Sequence, residues 1–190
     1  MLEGMPNYRS GVDGLRVSNS TKGGITFAAS TTQNGIHMIT VVLGVEAVDG
    51  DPYARFVATS SLMNYVVRTF VSSIVVKEGD PYGKSKATIM DGKSETVLAV
   101  AKKDFYIVEK QGSQAEPKIQ FKSDQESFRA PVKSGTNLGK LHYTDPDKIG
   151  RGYLEDQEPT VDMVAGRTIE KSFFLKVWWN EFVRYVNEKL

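Results

Sequence analysis

Between Leu15 and Leu43 the apolar and β-branched residues fall into three short runs, Leu15–Ser20, Ile25–Thr31 and Ile36–Leu43, broken by Lys22-Gly23-Gly24 and Gln33-Asn34-Gly35. Such runs are predicted strands. Asn34-Gly35 between two of them is a strong hairpin signal, because both residues tolerate positive φ. Met38-Ile39-Thr40-Val41-Val42-Leu43 is nearly continuously apolar, which predicts a strand covered on both faces. At Asp51-Pro52 the period changes: an N-cap carboxylate followed by proline at the first helical position opens a helix. Tyr53, Phe56, Val57, Met63, Val66, Val67 and Phe70 then recur at helical spacing, which is the pattern of a core-facing stripe rather than of a cofactor site.

Beyond Val71 short extended runs alternate with turn signals. Predicted strands are Ser73–Lys77, Thr88–Met90, Glu95–Val100, Phe105–Glu109, Ile119–Lys122, Phe128–Val132, Gly139–Tyr143 and Thr160–Val164, with turns at Gly79-Asp80-Pro81, Asp91-Gly92, Lys133-Ser134-Gly135 and Asp145-Pro146-Asp147. Regular spacing of this kind predicts a small antiparallel sandwich. In the last segment, Arg167 to Leu190, stepping about 100° per residue places Phe174, Leu175, Trp178, Trp179, Phe182, Val183, Tyr185 and Val186 on one half of a helix. Lys176, Asn180, Glu181, Arg184, Asn187 and Glu188 take the other half. No apolar stretch reaches bilayer-spanning length. The helix is expected to lie in a membrane interface, with Phe174, Leu175, Trp178, Trp179, Phe182, Tyr185 and Val186 facing lipid and Lys171, Lys176 and Arg184 near phosphates. A terminal helix packed on the sandwich, or a self-associating helix pair, is the competing reading.

Composition narrows the function classes. The 190 residues are 40% hydrophobic and 25% charged with a net charge of +1, an ordinary globular balance without the basic footprint of a nucleic-acid-binding protein. Cysteine is absent, which removes disulfides, thiolate metal sites and cysteine nucleophiles together and suits a bacterial extracytoplasmic protein. His37 and His142 are the only histidines and lie far apart, so no histidine metal cluster, and no metal or cofactor, is expected. Asp145, Asp147 and Asp156 have loose calcium-loop spacing, but Ile149 offers no side-chain oxygen at the fifth position and the twelfth lacks a glutamate. A turn is expected there. Met1 to Ser10 show neither a basic n-region nor an apolar h-region, so an extracytoplasmic role implies a processed or partial chain.

The segment Gly11-Val12-Asp13-Gly14-Leu15-Arg16-Val17-Ser18 resembles the active-site strand of the serine D-alanyl-D-alanine carboxypeptidases, the low-molecular-mass penicillin-binding proteins. In that family Leu is followed by Lys-Thr-Gly, whose lysine and threonine attract and hydrogen-bond the substrate carboxylate while the glycine leaves room for substrate. Here Arg16 keeps the charge as a planar fork, Val17 lacks the hydroxyl, and Ser18 adds a side chain. The family's nucleophilic Ser-x-x-Lys and its Ser-x-Asn lie upstream of this strand, yet only fifteen residues precede Arg16. Ser61-Leu-Met-Asn, Ser85-Lys-Ala-Thr, Ser127-Phe-Arg-Ala and Ser172-Phe-Phe-Leu do not supply a Ser-x-x-Lys. Ser18-Asn19-Ser20 has hydroxyls but no base nearby in sequence. No catalytic residue is therefore expected.

The resemblance extends further. Gly35–Leu43 and Asp51–Arg55 are similar to streptococcal-type members, and Ala130–Lys140 and Ile149–Leu154 are similar to the family's C-terminal domain, with Lys133-Ser134-Gly135 as a hairpin loop. The expected fold is α+β. It comprises a partial penicilloyl-serine transferase sheet with one helix over 1–70, an all-β sandwich over 71–166, and an amphipathic membrane-associating helix over 167–190. The resemblance implies a C-terminal fragment or degenerate member of the carboxypeptidases of peptidoglycan maturation. Inactive alone, it would sit at the extracytoplasmic face of the bacterial cell membrane. The alternatives are half of a split carboxypeptidase, completed by a separate nucleophile-bearing N-terminal half, and a non-catalytic module that binds peptidoglycan.

Overall fold

The structure is a computed structural model that describes residues 4, 7–20, 24–46, 51, 53–153, 157–173, 178, 183, 185 and 186. Two compact units make up the chain: Met1–Ser73 with Val108–Ser113, and Ile74–Ile107 with Gln114–Leu190.

In the first unit, β1 (Val12–Ser20), β2 (Gly24–Gln33) and β3 (Ile36–Val45) form an antiparallel sheet in the order β1-β2-β3. The β2–β3 hairpin turns at Asn34 and Gly35, at φ 52° and 74°, as the sequence predicts. Helix α1 (Ala54–Thr69) packs against β2 and β3. Met63 is fully buried among Val12, Phe27, Ala29, Ile36 and Met38, and the Phe27 and Phe56 rings meet edge to face at 5.0 Å.

Three expectations change here. Along β3, Ile36, Met38, Thr40 and Val42 are buried, whereas Ile39, Val41 and Leu43 are 61%, 56% and 74% exposed. Only one face of this strand is covered among the described residues, because α1 lies on one side of the sheet. The helix also begins later than Asp51-Pro52. Asp51 Oδ1 instead accepts the Tyr53 amide at 2.8 Å in a turn, and Tyr53 occupies the N-cap with no side-chain cap bond. Finally, the helical stripe is narrower than its spacing suggests, since Tyr53 and Val57 are exposed while Arg55 and Thr59 are buried.

The chain continues through β4 (Phe70–Val76), β5 (Pro81–Met90), β6 (Thr96–Ala101), β7 (Phe105–Lys110), β8 (Lys118–Ser123), β9 (Phe128–Arg129), β10 (Asn137–Thr144) and β11 (Thr160–Ala165). Six of these form one sheet in the order β8-β10-β11-β6-β5-β9, and β4 pairs with β7. The second unit's core is the inward row of that sheet, including Val97, Leu138, Leu141, Val161 and Met163, closed by Val76, Phe105 and Ile107. Gly139 has φ 147°, and a Cβ there would lie 2.1 Å from the Lys122 carbonyl oxygen. Glycine is what allows the irregular start of β10 to lie against β8.

The predicted antiparallel pattern holds in this sheet except at β5 and β9, which run parallel through Ile89–Phe128 and Met90–Arg129. The predicted strand Phe128–Val132 stops at Arg129, and Val132 forms only a bridge to Ile169. Strand β5 begins at Pro81, well before the predicted Thr88, because its alternation of inward Ser85, Ala87 and Ile89 with outward Lys84 and Lys86 contains too few apolar residues to register as a strand. The expected terminal helix over 167–190 does not begin at Arg167, because Ile169 and Lys171 bridge to Val132 and Gly92 and Ile169 is buried in the second unit's core; Trp178, Val183, Tyr185 and Val186 have helical backbone. Phe174, Leu175, Trp179 and Phe182 lie outside the described residues.

Candidate functional site

The sequence directs attention to β1, which is an edge strand of its sheet. A bulge at Leu15 separates the Gly14–Ala29 pair from the Arg16–Ala28 pair, after which Val17 faces Phe27 and Ser18 faces Thr26. Adjacent residues on a strand point to opposite faces. Arg16 and Ser18 thus share one face and Val17 takes the other. All three are exposed. Neither the Arg16 guanidinium nor the Ser18 hydroxyl has a side-chain partner among the described residues. The edge can therefore attract an anion and offer a hydroxyl, but it holds no base against Ser18 that would make that hydroxyl a nucleophile.

Behind this edge lies a residue that sequence reasoning missed. Arg55, on the first turn of α1, is 8% exposed. Its Nη1 donates to the Ser18 carbonyl oxygen at 3.5 Å, its guanidinium carbon lies 5.9 Å from the Phe56 ring centroid, and its Nε has no hydrogen-bond partner among the described residues. Among the described residues no carboxylate pairs with it, which is unusual for a buried charge. A second arginine ties the unit together: Arg9 donates to Asn64 Oδ1 at 2.7 Å and Gln33 Oε1 at 2.7 Å, joining the segment before β1 to α1 and to the end of β2. Neither arginine belongs to a hydrophobic pattern, so periodicity could not mark either one.

In the second unit the calcium-like loop is occupied by its own contacts. One Asp145 carboxylate oxygen accepts the Asp147 amide at 2.9 Å and the other accepts the Tyr153 hydroxyl at 3.0 Å. Burial and the Asp145 bond together hold the Tyr153 phenol above its ordinary value. Asp156 lies outside the described residues. Lys133-Ser134-Gly135 forms a turn, with the Thr136 amide donating to the Lys133 carbonyl at 3.1 Å and the Ser134 hydroxyl donating to the Ala165 carbonyl at 3.3 Å. It joins no strand pair of its own, since β10 pairs with β8 and β11. Among the described residues no group of three His, Asp or Glu side chains could hold a metal ion, and no helix is long and apolar enough to cross a membrane. Trp178 and Tyr185 of the lipid-facing set are 61% and 60% exposed.

Known proteins place both units in context. Residues 70–171 match the family model of the penicillin-binding protein 5, C-terminal domain. The chain is 26% identical over 133 residues to the D-alanyl-D-alanine carboxypeptidase DacA of Haemophilus influenzae, covering 70% of this chain and 32% of that protein. It is 21% identical over 138 residues to DacD of Salmonella typhimurium, covering 73% and 34%. It thus spans about a third of the length of these curated relatives. Among solved structures, a peptidoglycan synthesis regulatory factor (PBP3) from Streptococcus pneumoniae superimposes with a TM-score of 0.83 at 45% identity, over 90% of this chain and 46% of that one. Penicillin-binding protein 5 from Haemophilus influenzae shares the fold, with a TM-score of 0.58 at 22% identity, over 84% and 43%. With its family domain filling more than half its length, the chain belongs to the penicillin-binding protein 5 C-terminal domain family, the carboxyl-terminal part of the low-molecular-mass D-alanyl-D-alanine carboxypeptidases.

Proposed function

We propose that this chain is a non-catalytic carboxyl-terminal portion of a D-alanyl-D-alanine carboxypeptidase, in which the three-stranded sheet and α1 represent the end of the penicilloyl-serine transferase domain. The observation that carries the reading is the β1 edge, where Arg16, Val17 and Ser18 stand at the positions that the resemblance gives to Lys-Thr-Gly and no base accompanies Ser18 among the described residues. Without a base against Ser18 among the described residues, this edge supplies no activated nucleophile of its own. The second unit then acts as a stalk, and the segment after Phe173 lies in the interface of the cell membrane on its outer side, supported by the exposed Trp178 and Tyr185.

Co-sedimentation with anionic lipid vesicles tests the membrane role. The full chain is expected to pellet with the vesicles, and a chain ending at Phe173, which keeps the core residue Ile169 and is shown to keep its melting transition, is expected to stay in solution. Equal sedimentation of both removes the helix from that role.

A second reading, half of a split enzyme, is favoured by one pair of observations in the first unit. Among the described residues nothing covers the face carrying Ile39, Val41 and Leu43 and nothing satisfies the buried Arg55 Nε, as though another polypeptide belonged against the sheet. Mixing the chain with a separately produced nucleophile-bearing half separates the readings. Appearance of labelled-penicillin acylation in the mixture supports the split enzyme, and continued silence supports the non-catalytic portion.

A further inference from the structure

Strand β6 is central in its sheet, yet Leu98 on it is 45% exposed. A hollow of about 600 Å³ lies over Leu98 and Val100, bounded by Pro81, Lys86, Gly166 and Arg167. Two backbone features create it. Pro81 pairs with Val100 and Lys86 with Leu98, so four residues of β5, Tyr82 to Ser85, stand opposite the single Ala99 of β6 and the strands part. On the other side Gly166 donates to the Leu98 carbonyl at 3.1 Å, and a Cβ there would come within 3.0 Å of Val100 Cγ1.

Four cations of this unit have carboxylate partners, and the two beside this floor, like Lys84 on the same strand, have none among the described residues. Lys93 pairs with Glu170, Lys102 with Asp162 at 3.4 Å, Arg129 with Asp91 at 3.3 Å and Lys148 with Glu158 at 3.6 Å. Lys86 and Arg167 have no carboxylate among the described residues, and Arg167 Nη2 donates only to Ser94 Oγ at 3.3 Å. Two cations without a carboxylate partner among the described residues therefore flank an apolar floor whose size suits one or two side chains. From this complementarity we infer that the hollow docks an extended peptide segment of a partner protein, with an aliphatic side chain over Leu98 and Val100 and an adjacent Asp or Glu carboxylate bridging Lys86 and Arg167. Arginine's planar fork favours bidentate capture of such a carboxylate.

Random short peptides displayed on phage and selected on the full chain, with counter-selection on Arg167→Glu, test this. Enriched sequences should join an acidic residue to Leu, Ile or Val. A synthetic enriched peptide should shift the amide signals of Leu98, Val100 and Gly166, and should bind about tenfold more weakly when its carboxylate becomes the amide or when Leu98→Ser is the target. Four results overturn the proposal: no enrichment, enrichment indifferent to Arg167, equal binding of the amide peptide, or acetate or phosphate alone reproducing the shifts. Self-association of the chain abolished by Leu98→Ser also overturns it, by making a second copy the occupant.

Discussion

Among the described residues, Arg55 makes one long bond to the Ser18 carbonyl and a contact with the Phe56 ring. An uncompensated buried charge costs more than an apolar side chain of similar length, so Arg55→Met should stabilise the isolated chain by about 1 kcal/mol. Thermal melting checks this, and a lower melting temperature for the variant would show that the guanidinium is satisfied where it stands. Residue-level chemistry of this sort was only partly legible in the sequence. The departure at Arg16, Val17 and Ser18 was readable because a linear motif exposes its own missing members. Arg55 was not, because a charged residue beside a proline-led helix start reads as surface, and only the packing of α1 on β2 and β3 puts it inside.

Elements follow the same division between local and non-local causes. The β2–β3 hairpin was legible, since Asn34-Gly35 encodes its turn in two residues and Gln33 pairs with Ile36 directly across it. The parallel pairing of β5 with β9 was not, because nothing within Phe128-Arg129 names a partner nearly forty positions upstream in sequence, as Ile89 is to Phe128. On β10, His142 stands between Gln120 of β8 and Thr160 of β11. Burial first, then the charges of Lys122 and Lys140, push its imidazole below 6.5, with Glu158 opposing. A depressed value means that the unfolded chain binds the proton more readily than the folded one. Stability from this group is therefore complete above pH 6.5 and is lost as pH falls through the folded value. Urea titrations across that acidic window should show a shallower loss for His142→Gln than for the parent, whereas identical slopes would remove His142 from the account.

At the scale of the whole molecule, two compact units answer to two kinds of information. The second is recognisable as a family domain on its own, because its core closes within it, from Val76 to Ile169. In the first, the buried apolar cluster under the helix is six residues among those described, and β3 leaves Ile39, Val41 and Leu43 exposed. A fold with so small a core is marginal as a free-standing unit, which is consistent with a sheet that represents one part of a larger domain. Its edge strand then matters more for what it fails to supply than for what it holds.

That failure is most directly measured by joining the chain, in one polypeptide, to the nucleophile-bearing half of a streptococcal-type carboxypeptidase and following acylation by a labelled penicillin. The fusion with its own β1 should remain unlabelled, and the fusion carrying Arg16→Lys, Val17→Thr and Ser18→Gly should become labelled. Equal labelling of both fusions would contradict the claim that Arg16, Val17 and Ser18 make this strand non-catalytic.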